Sequence, residues 1–184
     1  MLNESTEQTG TQSMTTHVSS ADAFLHQIVT AADPIAFLRN LVDPSTGMQE
    51  EDWLEFKGGT DVQTGRPLAD SECDRLWSKA LSGFANTGGG LLICGIDARR
   101  DANGIDRASS LNLIKNPAAF KTRLNQLSQH ATDPPVTGFE IVEFTDTTQN
   151  GEGFVVCLIP ESSFKPHRAK KCCNTSPKAS VLPR

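Results

Sequence analysis

Gly83-Phe84-Ala85-Asn86-Thr87-Gly88-Gly89-Gly90-Leu91-Leu92-Ile93-Cys94-Gly95-Ile96-Asp97 is the stretch that decides how this chain folds. Upstream of it, Leu76, Trp77, Ala80, Leu81 and Phe84 recur at helical spacing behind Asp70 or Ser71 as a cap, so an amphipathic helix runs into it. Gly88 to Gly90 stop that helix, because glycine takes the left-handed dihedrals of a helix end without strain. Leu91 to Ile96 is then continuously apolar, as expected of a strand covered on both faces, and Asp97 closes it. Helix, glycine, strand and acid in that order point to a site at the strand's end.

Working outward, Trp53 to Lys57 alternates, with Leu54 and Phe56 on one face and Glu55 and Lys57 on the other, the period of a half-buried strand. Residues 58–69 read as a loop, and Asp101-Ala102-Asn103-Gly104 as a turn. Asn116-Pro117 then places a cap and a first-turn proline before Phe120, Leu124 and Leu127, which predicts a helix from Pro117 to about His130. Asp133-Pro134-Pro135 breaks the chain before Val136–Phe144 and Gly153–Ile159, two strand patterns joined through Asn150-Gly151 as a hairpin. The order β, α, β, α, β, β implies an α+β domain with a mixed sheet and its helices on one side.

Ahead of this domain lie two short helical patterns between Ala21 and Val42, with Pro34 placed to open the second, followed by turn chemistry at Asp43–Gly47. The expected organisation is a disordered tail over 1–20, a helical lead-in over 21–49, the domain over 50–168, and a basic tail over 169–184.

Read together with Glu50-Glu51-Asp52-Trp53-Leu54-Glu55-Phe56-Lys57, the quoted stretch resembles the Schlafen-type AlbA-like domain. That family's pattern is Glu, four residues, Glu-Phe-Lys, a helix, Ala-Phe-Ala-Asn-Thr-x-Gly-Gly and an apolar strand ending Gly-Val-Asp. Here Ser82-Gly83 precede Phe84, and Ile96 stands where valine is common. The resemblance covers about residues 50–168. Family members continue to an aromatic-rich strand near Arg-x-Gly, whereas this chain runs through Ala169-Lys170-Lys171-Cys172-Cys173, so the last strand is expected to be missing and the tail truncated or altered.

Charge is uneven. Residues 1–49 carry five acids and one base, residues 50–168 carry 17 acids and 12 bases, and the last sixteen residues carry four bases and no acid. An acidic domain with a formal net charge of −5 for the whole chain argues against a protein that coats duplex DNA through a general basic excess. Any nucleic-acid contact then rests on local bases or a metal. Five cysteines, with Cys94 and Cys157 inside apolar runs and no Cys-x-x-Cys pair, read as reduced and structural. No basic leader followed by an apolar run opens the chain and no membrane span is evident, which gives the expectation of a soluble, intracellular, cytoplasmic protein.

Three chemistries fit the residues. The resemblance to Schlafen nucleases implies Glu50, Glu55 and Asp97 as acids of a cleavage site for structured RNA, holding Mg²⁺ or Mn²⁺, with Lys57 nearby for the phosphate. The competing reading of the same acids is a solvated rim with Glu55 paired to Lys57. Arg99, Arg100 and Arg107, with Lys115, Lys121 and Arg123, could meet a nucleic-acid backbone, and Lys165, His167 and Arg168 form a second basic cluster. Asn86, Thr87, Gly88 and Gly89 are the candidates for a nucleotide. Their order, helix before glycine before strand, is the reverse of a phosphate-cradling loop, and a helix C-terminus repels anions. A nucleic-acid-binding module is placed first, a metal-dependent endoribonuclease second and an ATP-binding module third. Schlafen-type domains often pair as clamps, so the resemblance admits a homodimer.

Overall fold

The computed structural model describes residues 19–43, 47–61 and 63–170. Along the chain, α1 (Ser20–Thr30) and α2 (Pro34–Arg39) precede β1 (Leu54–Lys57), α3 (Asp70–Asn86) and β2 (Gly90–Cys94). A hairpin of β3 (Ile96–Arg100) and β4 (Asp106–Leu111) follows, then α4 (Pro117–Ala131), β5 (Thr132–Asp133), β6 (Glu140–Thr145), β7 (Gly153–Ile159) and β8 (Arg168–Ala169).

The central sheet has the order β1-β2-β7-β6. β1 and β2 pair in parallel, Leu54 opposite Leu91, and a parallel pair needs a crossover, which α3 supplies. β7 lies antiparallel to both β2 and β6, so the sheet is mixed and the fold is α+β. Asn150 and Gly151 turn the β6–β7 connection with φ of 52° and 80°, the backbone those two residue types tolerate best.

Alternation along β2 and β7 sends side chains into two cores. Leu92, Cys94, Val155, Cys157 and Ile159 pack under α3 and α4, around Trp77, Leu81, Phe84 and Leu124. Leu91, Ile93, Phe154 and Val156 go the other way, with Leu54 and Phe56 from β1, and meet Leu25, Ile28 and Leu38 of α1 and α2. Helices therefore cover both faces, not one. The lead-in helices are part of the core, because without them one apolar face of the sheet would be wet. Asn116 caps α4 through Ala119 N at 3.0 Å and Pro117 opens it, as the sequence predicts.

Two further points depart from expectation. The apolar run Leu91–Ile96 is not one strand: Gly95, at φ +119°, ends β2 and starts the β3–β4 hairpin. A Cβ at Gly95 would also sit 2.8 Å from the Phe154 ring, so both space and backbone favour glycine there. Arg99, Arg100 and Arg107 consequently lie on a strand pair, with Arg99 opposite Arg107. At the other end, β8 pairs with β5, Asp133 opposite Arg168, while residues 171–184, including Cys172 and Cys173, lie outside the described residues. The expected tail over 1–20 falls outside as well, except that Ser19 caps α1 and Ser20 opens it.

Cys73, Cys94 and Cys157 are free and buried, and burial pushes each thiol up, Cys73 to about 11. They behave as small apolar groups. No helix among the described residues is long and apolar enough to cross a membrane.

Candidate nucleic-acid interface

β1 presents Glu55 and Lys57 on the face away from Leu54 and Phe56, and their Oε1 and Nζ lie 2.8 Å apart. Burial works against the Lys57 charge, but the Glu55 carboxylate, with Glu50 behind it, holds the ammonium above its ordinary value. Asp97, two residues beyond the Gly95 bend, accepts from Asn112 Nδ2 at 3.2 and 3.1 Å, and Asn112 in turn accepts from Thr60. A Cβ at Gly58 would lie 2.1 Å from Asp97 Oδ1, so the turn after β1 needs glycine for the acid to fit. Glu55, Lys57 and Asp97 line one cleft of about 410 Å³, whose other wall is the flank of α3 at Arg75 and Lys79.

Glu50 does not line that cleft. Its Oε1 accepts from Phe56 N at 2.8 Å and so satisfies an edge amide of β1. Burial raises the Glu50 carboxyl above its ordinary value, opposed by the Phe56 amide and Lys57. A carboxyl whose pKa is higher in the fold than in the unfolded chain contributes stability that is complete below 4.5 and lost as pH rises through the folded value. Glu50→Gln keeps an acceptor for Phe56 and removes that loss. The variant is expected to match the parent at pH 4 and exceed it at pH 7, by less than about 1 kcal/mol after solvent screening. Urea titrations at both pH values check this; a less stable variant at pH 7 contradicts it.

The three acids thus do not form an oxygen cage, and among the described residues no three His, Cys, Asp or Glu side chains gather to hold a metal. Glu55 has Lys57 as its counter-charge, both Asp97 oxygens face Asn112, and Glu50 is turned to a backbone amide. This arrangement does not fit Mg²⁺ or Mn²⁺ shared by all three.

The glycine-run residues prove to be architectural. Asn86 bonds the backbone of His167 from both ends of its amide, Nδ2 to O at 2.8 Å and Oδ1 from N at 2.7 Å. Thr87 Oγ1 folds back onto the carbonyls of Gly83 and Phe84. Gly89, at φ +78°, turns the chain where a Cβ would meet the Glu161 amide at 2.9 Å. Asn86 and Gly89 are therefore taken up by the fold and Thr87 by its own helix, while Thr87, Gly88 and Gly89 also line a hollow of about 490 Å³ beside Ser19, Ser20 and Asp52.

The proposed basic residues divide the same way. Arg107 is held by Asp101 at 3.0 Å and by the Gly47 carbonyl, Lys121 by Glu143 and Arg123 by Asp74. Lys165 donates to the Thr87 carbonyl and to Glu161. His167, only 3% exposed, spans Pro134 O and Ser162 Oγ inside the protein, so burial removes it from any surface contact. Arg99 is exposed and unpaired among the described residues, Arg100 makes a 3.1 Å pair with Asp106 at the surface, and Arg168 is exposed on β8.

Sequence reasoning missed Arg66, Arg75 and Lys79. The cleft continues past Asp61, Glu72 and Arg75 into a second hollow of about 700 Å³, and past Glu55 and Lys79 toward Thr87. A furrow thereby follows the exposed flank of α3, whose seventeen residues span roughly 25 Å. Most acids along it are already engaged: Glu72 by Ala69 N, Asp61 by Gln63 and Thr64 N, Asp74 by Arg123, Glu55 by Lys57 and Asp97 by Asn112; Asp52 is the exception. Arg66, Arg75 and Lys79 are exposed and, among the described residues, in no ion pair. The signal was present, since positions 72, 75, 79 and 83 are the complement of the apolar stripe on α3.

Mixed sheet, parallel β1–α3–β2 crossover and polar furrow define an α+β module with its charged cleft beside the crossover helix. The chain belongs to the Schlafen AlbA_2 family, whose sequence profile matches residues 50–178. No curated protein matches it. Among solved structures, it is similar to the DIP2311 protein from Corynebacterium diphtheriae, at 15% identity and a TM-score of 0.41, covering 80% of this chain and 24% of that one. It is also similar to the N-terminal domain of a RecG-related protein from Nitrosomonas europaea, at 18% identity and a TM-score of 0.43, covering 81% and 92%. The chain thus spans about a quarter of the DIP2311 chain.

Proposed function

We propose that this protein binds nucleic acid along the α3 furrow. One observation carries the reading: Arg66, Arg75 and Lys79 project from the furrow in no ion pair among the described residues, while Glu55 and Asp74 are neutralised by Lys57 and Arg123 and Asp61, Glu72 and Asp97 are turned onto amides of the fold. An acidic chain can in this way offer a local anion-binding strip, and phosphate is the anion that repeats along a polymer. Lys57, paired with Glu55, lines the same cleft. Membership of the Schlafen AlbA_2 family supports the assignment.

Charge reversal tests it. Arg75→Glu/Lys79→Glu is expected to weaken binding of labelled RNA or DNA on the order of 100-fold, from two lost charged contacts, and to lower the salt slope by about 2. Fluorescence anisotropy over a salt series reads both quantities. Unchanged affinity in the double variant removes the furrow from the interface. Running the titration in Mn²⁺ and in EDTA separates the alternative: cleavage that needs the ion favours an endonuclease centred on Glu55 and Asp97, which line the same cleft.

A further inference from the structure

Phe164 is the one aromatic side chain among the described residues that stands in solvent, 81% exposed. A single exposed apolar group is ordinary on a protein surface. What distinguishes Phe164 is where it stands and how firmly its loop is held. Ser162 N donates to the Ala85 carbonyl at 3.0 Å, Lys165 Nζ to the Thr87 carbonyl at 2.9 Å, and the Asn86 amide grips His167 on both sides. Within the loop, Phe164 N donates to Ser162 Oγ, whose hydroxyl faces His167 Nε2 at 2.7 Å; the other ring nitrogen faces the Pro134 carbonyl and so carries the proton. Every tie runs to the fold or within the loop, and none uses the phenyl ring.

The anchors matter because Ala85, Asn86 and Thr87 form the last turn of α3, and Thr87 lines the furrow where it leaves the helix. The loop that carries Phe164 is therefore tied to the C-terminal end of the furrow, where Lys165 Nζ sits on the Thr87 carbonyl and offsets the anion-repelling helix end. Cations spaced along a backbone with an aromatic face beside them make up the usual equipment for holding an unpaired base, whose ring stacks while its phosphates are neutralised. A duplex uses such a ring only by unstacking a base step, whereas an unpaired base offers its face freely.

We propose that Phe164 is a stacking platform for a base of single-stranded nucleic acid running along the α3 furrow, an inference that rests on the furrow reading above. The occupant is a single strand, not a duplex, and the contact is tolerant of sequence because every base offers a π face.

The test compares a single-stranded oligonucleotide carrying 2-aminopurine with a duplex of equal length, using the full chain as parent, Phe164→Ala, Phe164→Trp and Arg75→Glu/Lys79→Glu. Phe164→Ala is expected to weaken single-strand binding on the order of 10-fold, leave the thermal midpoint unchanged, and leave duplex binding unchanged. Phe164→Trp is expected to restore affinity, and 2-aminopurine emission to be quenched by the parent but not by Phe164→Ala. Single-strand affinity and quenching that survive Phe164→Ala, while the charge reversal still abolishes binding, overturn the stacking proposal and leave the furrow standing. Binding that ignores the charge reversal overturns the furrow reading itself. A parent that sediments as a dimer and a Phe164→Ala variant that sediments as a monomer would assign the ring to a contact between two copies, and overturn the proposal by that route.

Discussion

A chain cut to residues 48–184, close to the family-matched portion, fails to fold cooperatively. Leu25, Ile28 and Leu38 from α1 and α2 are each at most 5% exposed, and they cover Leu54, Phe56, Leu91, Ile93, Phe154 and Val156. Burial of three such side chains is worth about 5–9 kcal/mol, which rivals the roughly 5–15 kcal/mol that holds a typical domain together. Arg39 adds a 2.6 Å pair to Asp146, whose carboxyl is held below its usual range by the Thr148 hydroxyl and by that guanidinium. The shortened chain is expected to lose its urea transition and to bind a hydrophobic dye; a sharp transition with native-like amide dispersion sinks the claim. Ile28→Ala in the full chain is the graded version, with an expected loss of about 2–5 kcal/mol.

The second large effect comes from the opposite core. Trp77→Ala is expected to lower the unfolding free energy by about 3–5 kcal/mol, because Trp77 is fully buried and its removal leaves a cavity under α3. The indole also donates from Nε1 to Ser128 Oγ at 2.9 Å and meets Phe139 edge-on, ring centroids 5.7 Å apart. Trp77→Phe keeps most of the volume and loses the donor, so its cost falls well below that of alanine. Denaturant midpoints for the three proteins decide it, and equal midpoints for phenylalanine and alanine contradict the cavity argument. Because α3 carries Arg75 and Lys79 on its outer flank, nucleic-acid affinity should fall in Trp77→Ala as temperature rises, before the whole chain unfolds.

The legible parts of the sequence were those where one physical demand dominates. The apolar stripe of α3, the Asn116-Pro117 start of α4 and the Asn150-Gly151 turn each follow from a local rule, and each stands in the structure. The β3–β4 hairpin was hidden because Asp97–Arg100 and Asp106–Leu111 are mostly polar and lie on a small two-stranded sheet, which leaves no alternating pattern. Gly95, inside an apolar run, gave no sign that it ends β2. Chain patterns showed that α1 and α2 were amphipathic but not what they would cover. At the cleft, the strand face shared by Glu55 and Lys57 could be read from spacing alone. The turning of Glu50 toward Phe56 N and of Asp97 toward Asn112 could not, since both depend on partners brought together by the tertiary fold.

The packing of α1 also orders events during synthesis. Its apolar face leaves the ribosome early, yet it rests on β2 and on β7, and β7 begins only at Gly153. At about 5–20 residues per second, Leu25 and Ile28 wait roughly 6–25 s for the last strand that shelters them. In that interval the nascent chain displays an unsatisfied amphipathic helix, which makes its demand on chaperones a property of strand order rather than of final stability.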